Sequence, residues 1–587
     1  MRTMIGTRLS LLVWIASGSL LACRGGDSAP VDYTHAALVD DFRPRLSGGG
    51  DWGLSRLDTP RLADGVSFSD DAASVDGSGG TSSTLGRIGV GLRADRLLGP
   101  MVSAAWQPRL VGVQVSLDGG SGDLIVSLSD PDGAELWRAV EPLDARSAAV
   151  SLLYDGDDGA TLGEVAWRID DGWGAPERVK LLIEAPQYAG PMEETFLYSY
   201  AALSRCWDGE AGLVAARCAS PDGEQAPEVT ALFALAAAVA WDLGYASGSD
   251  ARAVAEAARA SLLESVPRQA GSGLMPERMT GASSDYAVDY ASDYAVSGSS
   301  YWSTLHTAVA LEAMILAAEA TGLATDDLEA ALEGVDWSGL TDAGAYPVLA
   351  GFEPSGAALD WRLGVFGSKA VLVQVAHAAA TGELPPMELA YTPTWDGSGY
   401  DDELAALLFP MTGIDSYNNA WQSWRDGAFW SQHGWTAGNE AGERGLFGLS
   451  AAEVPEPWSA GGEIYGDWGT GGHNQYGNDG SQVVGYAIYA PHYAAMAAAE
   501  HPDQSDLLFE GLLRDGLLGP LNAVESAGID QSGALRWNHA HRSWTLALQA
   551  LGAGRALSGD DYLPYRMLEQ NDFLRQGFEA ALPGGTP

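Results

Sequence analysis

Residues 395–482 concentrate carboxylates and flat aromatic rings around glycine-rich turns. The runs WDGSGYDDELAALLFP, GWTAGNEAGERGLFGLSAAE and YGNDGSQ carry Trp395, Asp401, Asp402, Glu403, Trp435, Glu440, Glu443, Glu453, Tyr476 and Asp479. One acid of a pair protonates a glycosidic oxygen while a second activates water or attacks, and indoles cover the apolar faces of sugar rings. The residue set therefore points to carbohydrate chemistry. Glu440, in the loop after Trp435, is the candidate general acid, because a desolvated carboxyl beside an indole holds its proton to higher pH. A helix-capping role is the alternative for it. Asp479 precedes a predicted helix from Gln482 and is either a base that activates water or the N-cap of that helix. Asp401 and Asp402 open the helix DDELAALLF, where the helix dipole favours acids in any case. Trp395, Asp402, Trp435, Glu443, Glu453 and Tyr476, with Trp537 and His539 of WNHAHRSW, are the candidate substrate contacts. Sequence motifs for a nucleophile elbow or a phosphate-binding loop are absent.

These residues need a scaffold, and the chain changes period to provide one. From Pro227 onward the runs PEVTALFALAAAVAWDLGY, SDARAVAEAARASLLESV, STLHTAVALEAMILAAEATG, FGSKAVLVQVAHAAATG, SQVVGYAIYAPHYAAMAAAE, DQSDLLFEGLLRDG and HRSWTLALQALGAGRAL read as helices, several capped by Ser, Thr, Asp or Pro and ended by Gly. With shorter candidates they make about a dozen helices, many apolar on more than one face, as a double-layered helical array requires. No fixed repeat period is present, so paired antiparallel helices closing into an (α/α)6 toroid over residues 220–580 are expected rather than a solenoid. The low-complexity stretch Asp285 to Val296 reads as a solvated loop insertion.

Upstream, residues 31–205 read as a β-sandwich, jelly-roll-like and a candidate carbohydrate-binding domain. LVGVQVSL, LIVSL, VKLLI and FLYSY are the predicted strands, with DGGSGD and SDPDG as turns. DGDDG, Asp155 to Gly159, is read as an ordinary acidic turn, with calcium binding the minor alternative. The N-terminus carries Arg2 and Arg8, an apolar stretch from Leu11 to Leu21 and LLAC ending at Cys23. It resembles a bacterial lipoprotein signal, which implies residues 1–23 as signal peptide, lipidation at Cys23, residues 24–30 as a tether, and a place in the cell envelope, at the outer membrane. Cys206 and Cys218 remain as an even pair in an exported chain and suggest a disulfide.

The 587 residues hold 78 acidic and 32 basic side chains, a net charge of −46. Such a polyanion repels nucleic acid and anionic lipid, leaving membrane contact through the lipid anchor alone. A neutral polysaccharide or oligosaccharide feels no such repulsion. No Cys/His cluster in the sequence suggests a metal, and no cofactor is called for.

The helical half resembles the glycoamylase-like clan of (α/α) toroids, which includes endo-β-1,2-glucanases and the processing domains of cyclic β-1,2-glucan synthases. GLMPERMTG with STLHTAVALEAM, FGSKAVLVQVAHAAATGE, WDGSGYDDELAALLFP, RGLFGLSAAE, NDGSQVVGYAIYAP and GPLNAVES carry the likeness, in order, over about residues 227–557. The resemblance implies glycoside hydrolysis, with Asp401 at a family acid position. Two positions depart from it: His306 stands where the family carries aspartate, and Lys369 where it carries glutamate. Lysine removes a proton donor of accessible pKa. Three readings follow: a hydrolase with Glu440, Asp479 and Asp401 as catalytic acids, a polysaccharide lyase, or a non-catalytic surface glycan binder.

Overall fold

The computed structural model describes residues 35–41, 83–144, 149–218, 224–281, 294–296, 300–341, 348–360, 362–363, 369–385, 398–414, 420–437, 446–453, 465–467, 488–514, 517–520, 523–529, 535–538 and 542–583. The lipoprotein signal with Cys23, most of the Asp285–Val296 stretch, and Trp395, Glu440, Glu443, Tyr476, Asp479 and His539 lie outside them.

The N-terminal strands are β1 (His35–Asp41), β2 (Ser83–Arg93), β3 (Arg109–Ser129), β4 (Glu135–Leu143), β5 (Ala149–Leu153) and β6 (Thr161–Glu184), all in one antiparallel six-stranded sheet. β3 and β6 run the length of the sheet. One half pairs β1, β6, β3 and β5, and the other pairs β2, β6, β3 and β4. Alternate residues from both halves, among them Val113, Val115, Leu124, Val126, Trp167 and Ile183, enter a single hydrophobic core. DGGSGD does not separate two strands as the sequence suggested. It lies within β3, where the register with β6 shifts and Gly119 and Gly122 take positive φ. Glycine tolerates that backbone, so a long strand bends without ending. SDPDG forms the turn into β4, with Asp130 N donating to Ala134 O at 2.9 Å. DGDDG is a turn held by Asp157, whose Oδ1 accepts from Gly159 N at 2.9 Å.

The helices are α1 (Pro191–Ser204), α2 (Pro227–Asp242), α3 (Gly248–Glu264), α4 (Thr304–Thr321), α5 (Asp326–Glu333), α6 (Trp337–Leu340), α7 (Lys369–Thr381), α8 (Gly399–Glu403), α9 (Trp421–Ala437), α10 (Pro491–Ala497), α11 (Pro502–Arg514), α12 (Ser543–Ser558), α13 (Leu563–Gln570) and α14 (Asp572–Ala581). FLYSY, read as a strand, is the middle of α1. Pro191 at the first helical position and Glu193 and Glu194 in the first turn set the helix start, and burial of nearly the whole segment hides the 3.6-residue period. The start of the helix expected from Gln482 lies outside the described residues; within them, Ile488–Tyr489 is a short strand and α10 starts at Pro491. Ala490, before that proline, is extended at φ −122° and ψ 106°, as the ring of the next residue demands.

Contacts between helices close a ring: α2 packs on α4, α4 on α7, α7 on the 3₁₀ turn Leu404–Leu407 that continues α8, α8 on α10, α10 on α12, and α12 back on α2. α2 and α4 are buried on every face. α3, on the outside, is amphipathic, with Ala251, Val254, Ala255, Ala258 and Leu262 facing in and charged residues facing out. α1 covers α12, α5 and α14 cover α7, and α9 covers α8. Where α12 crosses α10, Gly552 sits against the backbone of Ala495 and Met496, an approach no side chain would permit. Each fully buried Leu or Phe of this core contributes about 1.5–3 kcal/mol. Cys206 and Cys218 are joined by a disulfide with Cα atoms 4.4 Å apart.

Candidate active site at the mouth of the helical ring

The first turns of the ring helices meet at one end. Ser303 caps α4, its Oγ accepting from His306 N at 3.2 Å and lying 2.7 Å from His306 Nδ1. Lys369 opens α7, and its ammonium is 2.8 Å from Asp401 Oδ1 in the first turn of α8. The same ammonium lies 5.4 Å above the Tyr400 ring. Tyr400 meets the Trp544 ring edge-on at 6.4 Å, and Trp544, at the start of α12, meets His306 at 6.0 Å. His306 in turn meets Tyr301 at 6.3 Å. One carboxylate, one ammonium, one imidazole and three aromatic rings are thus assembled from segments as far apart in the chain as Tyr301 and Trp544. Burial lowers the His306 pKa, Glu277 opposes that, and Arg278 and Lys369 reinforce it. A neutral imidazole beside a lysine follows.

The three acids of DDE point three ways, because successive helical residues are about 100° apart. Asp401 faces Lys369 at the mouth. Asp402 is buried and accepts from Trp424 Nε1 at 2.8 Å. Glu403 is buried and accepts from Arg425 Nε at 2.9 Å, in a cluster with Glu500 and Arg555 that ties α8 to α9 and α12. Burial pushes the Asp402 carboxyl up to about 8, against the lowering effect of the Trp424 bond.

The segment 446–453 wedges between α8 and α10. Leu449 O accepts from Gly399 N at 2.8 Å, Ser450 Oγ accepts from Tyr400 N at 3.0 Å, and Gly448 O accepts from Ala490 N at 2.9 Å. Ser450 also bonds His492 Nε2 at 2.8 Å. Glu453, at its end, is 2% exposed and held by Arg217 and by Arg542, whose Nη2 is 2.6 Å away. Beside it Glu525 is buried and bonded to Thr545 Oγ1, its carboxyl pushed up to about 7 by burial while Thr545, Arg542 and Arg217 pull it down. Glu228, in the first turn of α2, is raised to about 8 by burial, with Glu277 adding to the shift.

Of the residues singled out by sequence, Asp401 stands at the mouth. Asp402 and Glu453, expected among the substrate contacts, are buried, with Asp402 Oδ1 held by Trp424 and Glu453 Oε1 by Arg217 and Arg542. Trp435 is half-buried against the main core. Trp537 lies in the strand Leu535–Asn538, opposite Ala527. Glu440, Asp479, Trp395, Glu443, Tyr476 and His539 lie outside the described residues. Sequence reasoning missed Glu277, Glu525, Tyr400 and Trp544 as site residues. Glu277 and Glu525 do sit in GLMPERMTG and GPLNAVES, short acidic segments between helices, which was the available signal. No group of three or more His, Cys, Asp or Glu side chains able to hold a metal occurs among the described residues.

No protein-family model matches the chain, and no curated protein matches it in sequence. Solved structures share the fold. A candidate glucoamylase of Bacteroides uniformis superposes with a TM-score of 0.52 at 11% identity, over 68% of this chain and 98% of its own. A β-1,2-glucanase of Parabacteroides distasonis superposes at 0.51 and 10% identity, over 85% of this chain and 91% of its own. A candidate glucoamylase of Bacteroides caccae gives 0.50 and 14%, over 67% and 98%.

Proposed function

We propose that the chain is a glycoside hydrolase of the glycoamylase-like toroid type, acting on a neutral poly- or oligosaccharide at the mouth of its helical ring. The observation that carries this reading is the meeting of Asp401, Lys369, His306, Tyr400 and Trp544 at that mouth, in a fold shared with a β-1,2-glucanase. Asp401 acts at the scissile linkage, with Glu440 as proton donor and Asp479 as base. Tyr400 and Trp544 supply flat apolar faces for sugar rings, and a β-1,2-glucan is the first substrate to test. The N-terminal sheet serves as a sandwich-like accessory domain. The protein is exported and anchored through Cys23, at the outer membrane.

A non-catalytic glycan binder is the second reading, favoured by one observation: the ammonium of Lys369 occupies Asp401, and a carboxylate held in an ion pair is a poor proton carrier. A panel of neutral glucans, β-1,2-glucan included, incubated with the purified protein and scored for new reducing ends, separates the two. Turnover that falls by about 100-fold or more in Asp401→Asn, Glu440→Gln or Asp479→Asn supports hydrolysis, in line with the usual contribution of a positioned acid or base. Binding without new ends supports the binder. Neither binding nor turnover across the panel ends both readings.

A further inference from the structure

Two buried polar atoms at the α10–α12 side of the mouth find no partner among the described residues: Nδ1 of His492 and Oε1 of Glu525. Both residues line one small cavity, together with Ala523, Val524, Thr545, Leu546 and Gln549. Its space is about that of one water molecule. Ser450 Oγ accepts from Tyr400 N at 3.0 Å and keeps one proton to give, and His492 Nε2 lies 2.8 Å from it. Burial keeps the imidazole neutral, lowering its pKa to about 3; with Ser450 as donor to Nε2, the ring proton is on Nδ1, the atom left without a partner. Oε1 of Glu525, a residue lining the same cavity, offers an acceptor. A buried donor and a buried acceptor left unmade each forfeit the hydration they had in the unfolded chain, and an intervening O–H satisfies both at once.

We propose that this cavity is a pocket for one hydroxyl group, which accepts from His492 Nδ1–H and donates to Glu525 Oε1. A water molecule and a glycan hydroxyl carry the same chemistry. Occupancy by a sugar rests on the function proposed above, whereas the pocket itself does not. The hydroxyl completes a chain from Thr545 through Glu525 and His492 to Ser450 and the backbone of Tyr400, next to Asp401. Glu525 is also faced by Arg542, the N-cap of α12, and by Arg217, both held by Glu453.

The test uses the full-length protein with ¹⁵N-labelled histidine, His492 being assigned with His492→Gln, together with a high-resolution crystal structure of the free protein. The expected result is a neutral His492 with its proton on Nδ1, density for one oxygen within hydrogen-bond reach of both atoms, and a His492 shift that titrates with a midpoint of about 7 as Glu525 ionises. Glu525→Gln is expected to abolish that titration and leave the tautomer unchanged. A proton on Nε2, an empty cavity, or a direct His492–Glu525 hydrogen bond would overturn the pocket. If Glu525→Gln does not fold, the tautomer and the density of the native protein decide alone. Soaking with a β-1,2-gluco-oligosaccharide then separates the sources: a sugar oxygen at the position marks a glycan subsite, and an unmoved water marks an internal water pocket. Failure of the sugar to bind at all counts against the proposed function and leaves the free-protein result standing.

Discussion

Asp401 and Glu453 are both carboxylates close to the ring mouth, yet their surroundings assign them opposite tasks. Asp401 meets one partly exposed lysine, with 13% of its side chain open to solvent. Glu453 is enclosed and is shared between Arg217 and Arg542. Removing the charge from Asp401 forfeits a single ion pair with a partly exposed lysine that can turn to solvent, so Asp401→Asn is expected to cost about 1–2 kcal/mol of stability while suppressing turnover of whichever glucan is cleaved. Removing the charge from Glu453 leaves guanidinium groups without their counter-ion in a buried setting, and Glu453→Gln is expected to cost about 3–5 kcal/mol. Urea unfolding of the two variants beside the reducing-end assay checks both outcomes, and equal stability losses would contradict the distinction. At this scale the sequence was legible in part. The DDE run was visibly unusual, but which acid faces the mouth depends on Lys369, Trp424 and Arg425, partners more than twenty residues away whose placement no local pattern encodes.

The helices α2, α3, α4, α7, α11 and α12 were legible because caps and unbroken Ala- and Leu-rich periods mark them. α8 was read longer than it is. It is a five-residue helix continued by a 3₁₀ turn, too short to persist without tertiary support. What holds it is packing on α10, and Gly399 is the contact point. A Cβ there would strike the Tyr493 ring, a fully buried side chain with no room to retreat. Gly399→Ala is therefore expected to destabilise by about 1–3 kcal/mol, and to displace Asp401 from Lys369. Gly434, in α9, gives the opposite case: its Cβ position is open and the residue is exposed. Gly434→Ala is expected to stabilise by about 0.5–1 kcal/mol through helix propensity alone. Denaturant midpoints for the pair measure the contrast, and a neutral Gly399→Ala would show that α8 is not set by this contact. The strand misread in α1 has the same physical root as the success with α2, since complete burial hides the period that separates strand from helix.

The molecule as a whole is an acidic shell around carboxyls that resist ionising. Asp402 and Glu228 are raised by burial to about 8, and Glu525 to about 7. In the unfolded chain these groups ionise near 4. Between those values the folded protein holds protons that the unfolded chain has released, so their contribution to stability falls as pH rises, by about 1.4 kcal/mol per unit for each group. His306, His377, His492 and His501 act in the other direction, their pKa values lowered by burial. The unfolded chain takes up those protons first, so stability also falls as pH drops below about 6.5. The net charge of −46 adds self-repulsion on the alkaline side. Stability should therefore peak on the acid side of neutrality, at about pH 6, where the two sets of groups balance, and decline from there to about pH 8, in a range where most proteins with paired surface carboxylates change little. Asp402→Asn tests the cause. The amide cannot ionise, so the urea midpoint of the variant should decline less than that of the native protein between pH 6.5 and 8.5, whatever the offset between the two at pH 6.5. Parallel declines would mean that Asp402 ionises in the folded core without penalty, and that the acidic shell alone sets the alkaline limit.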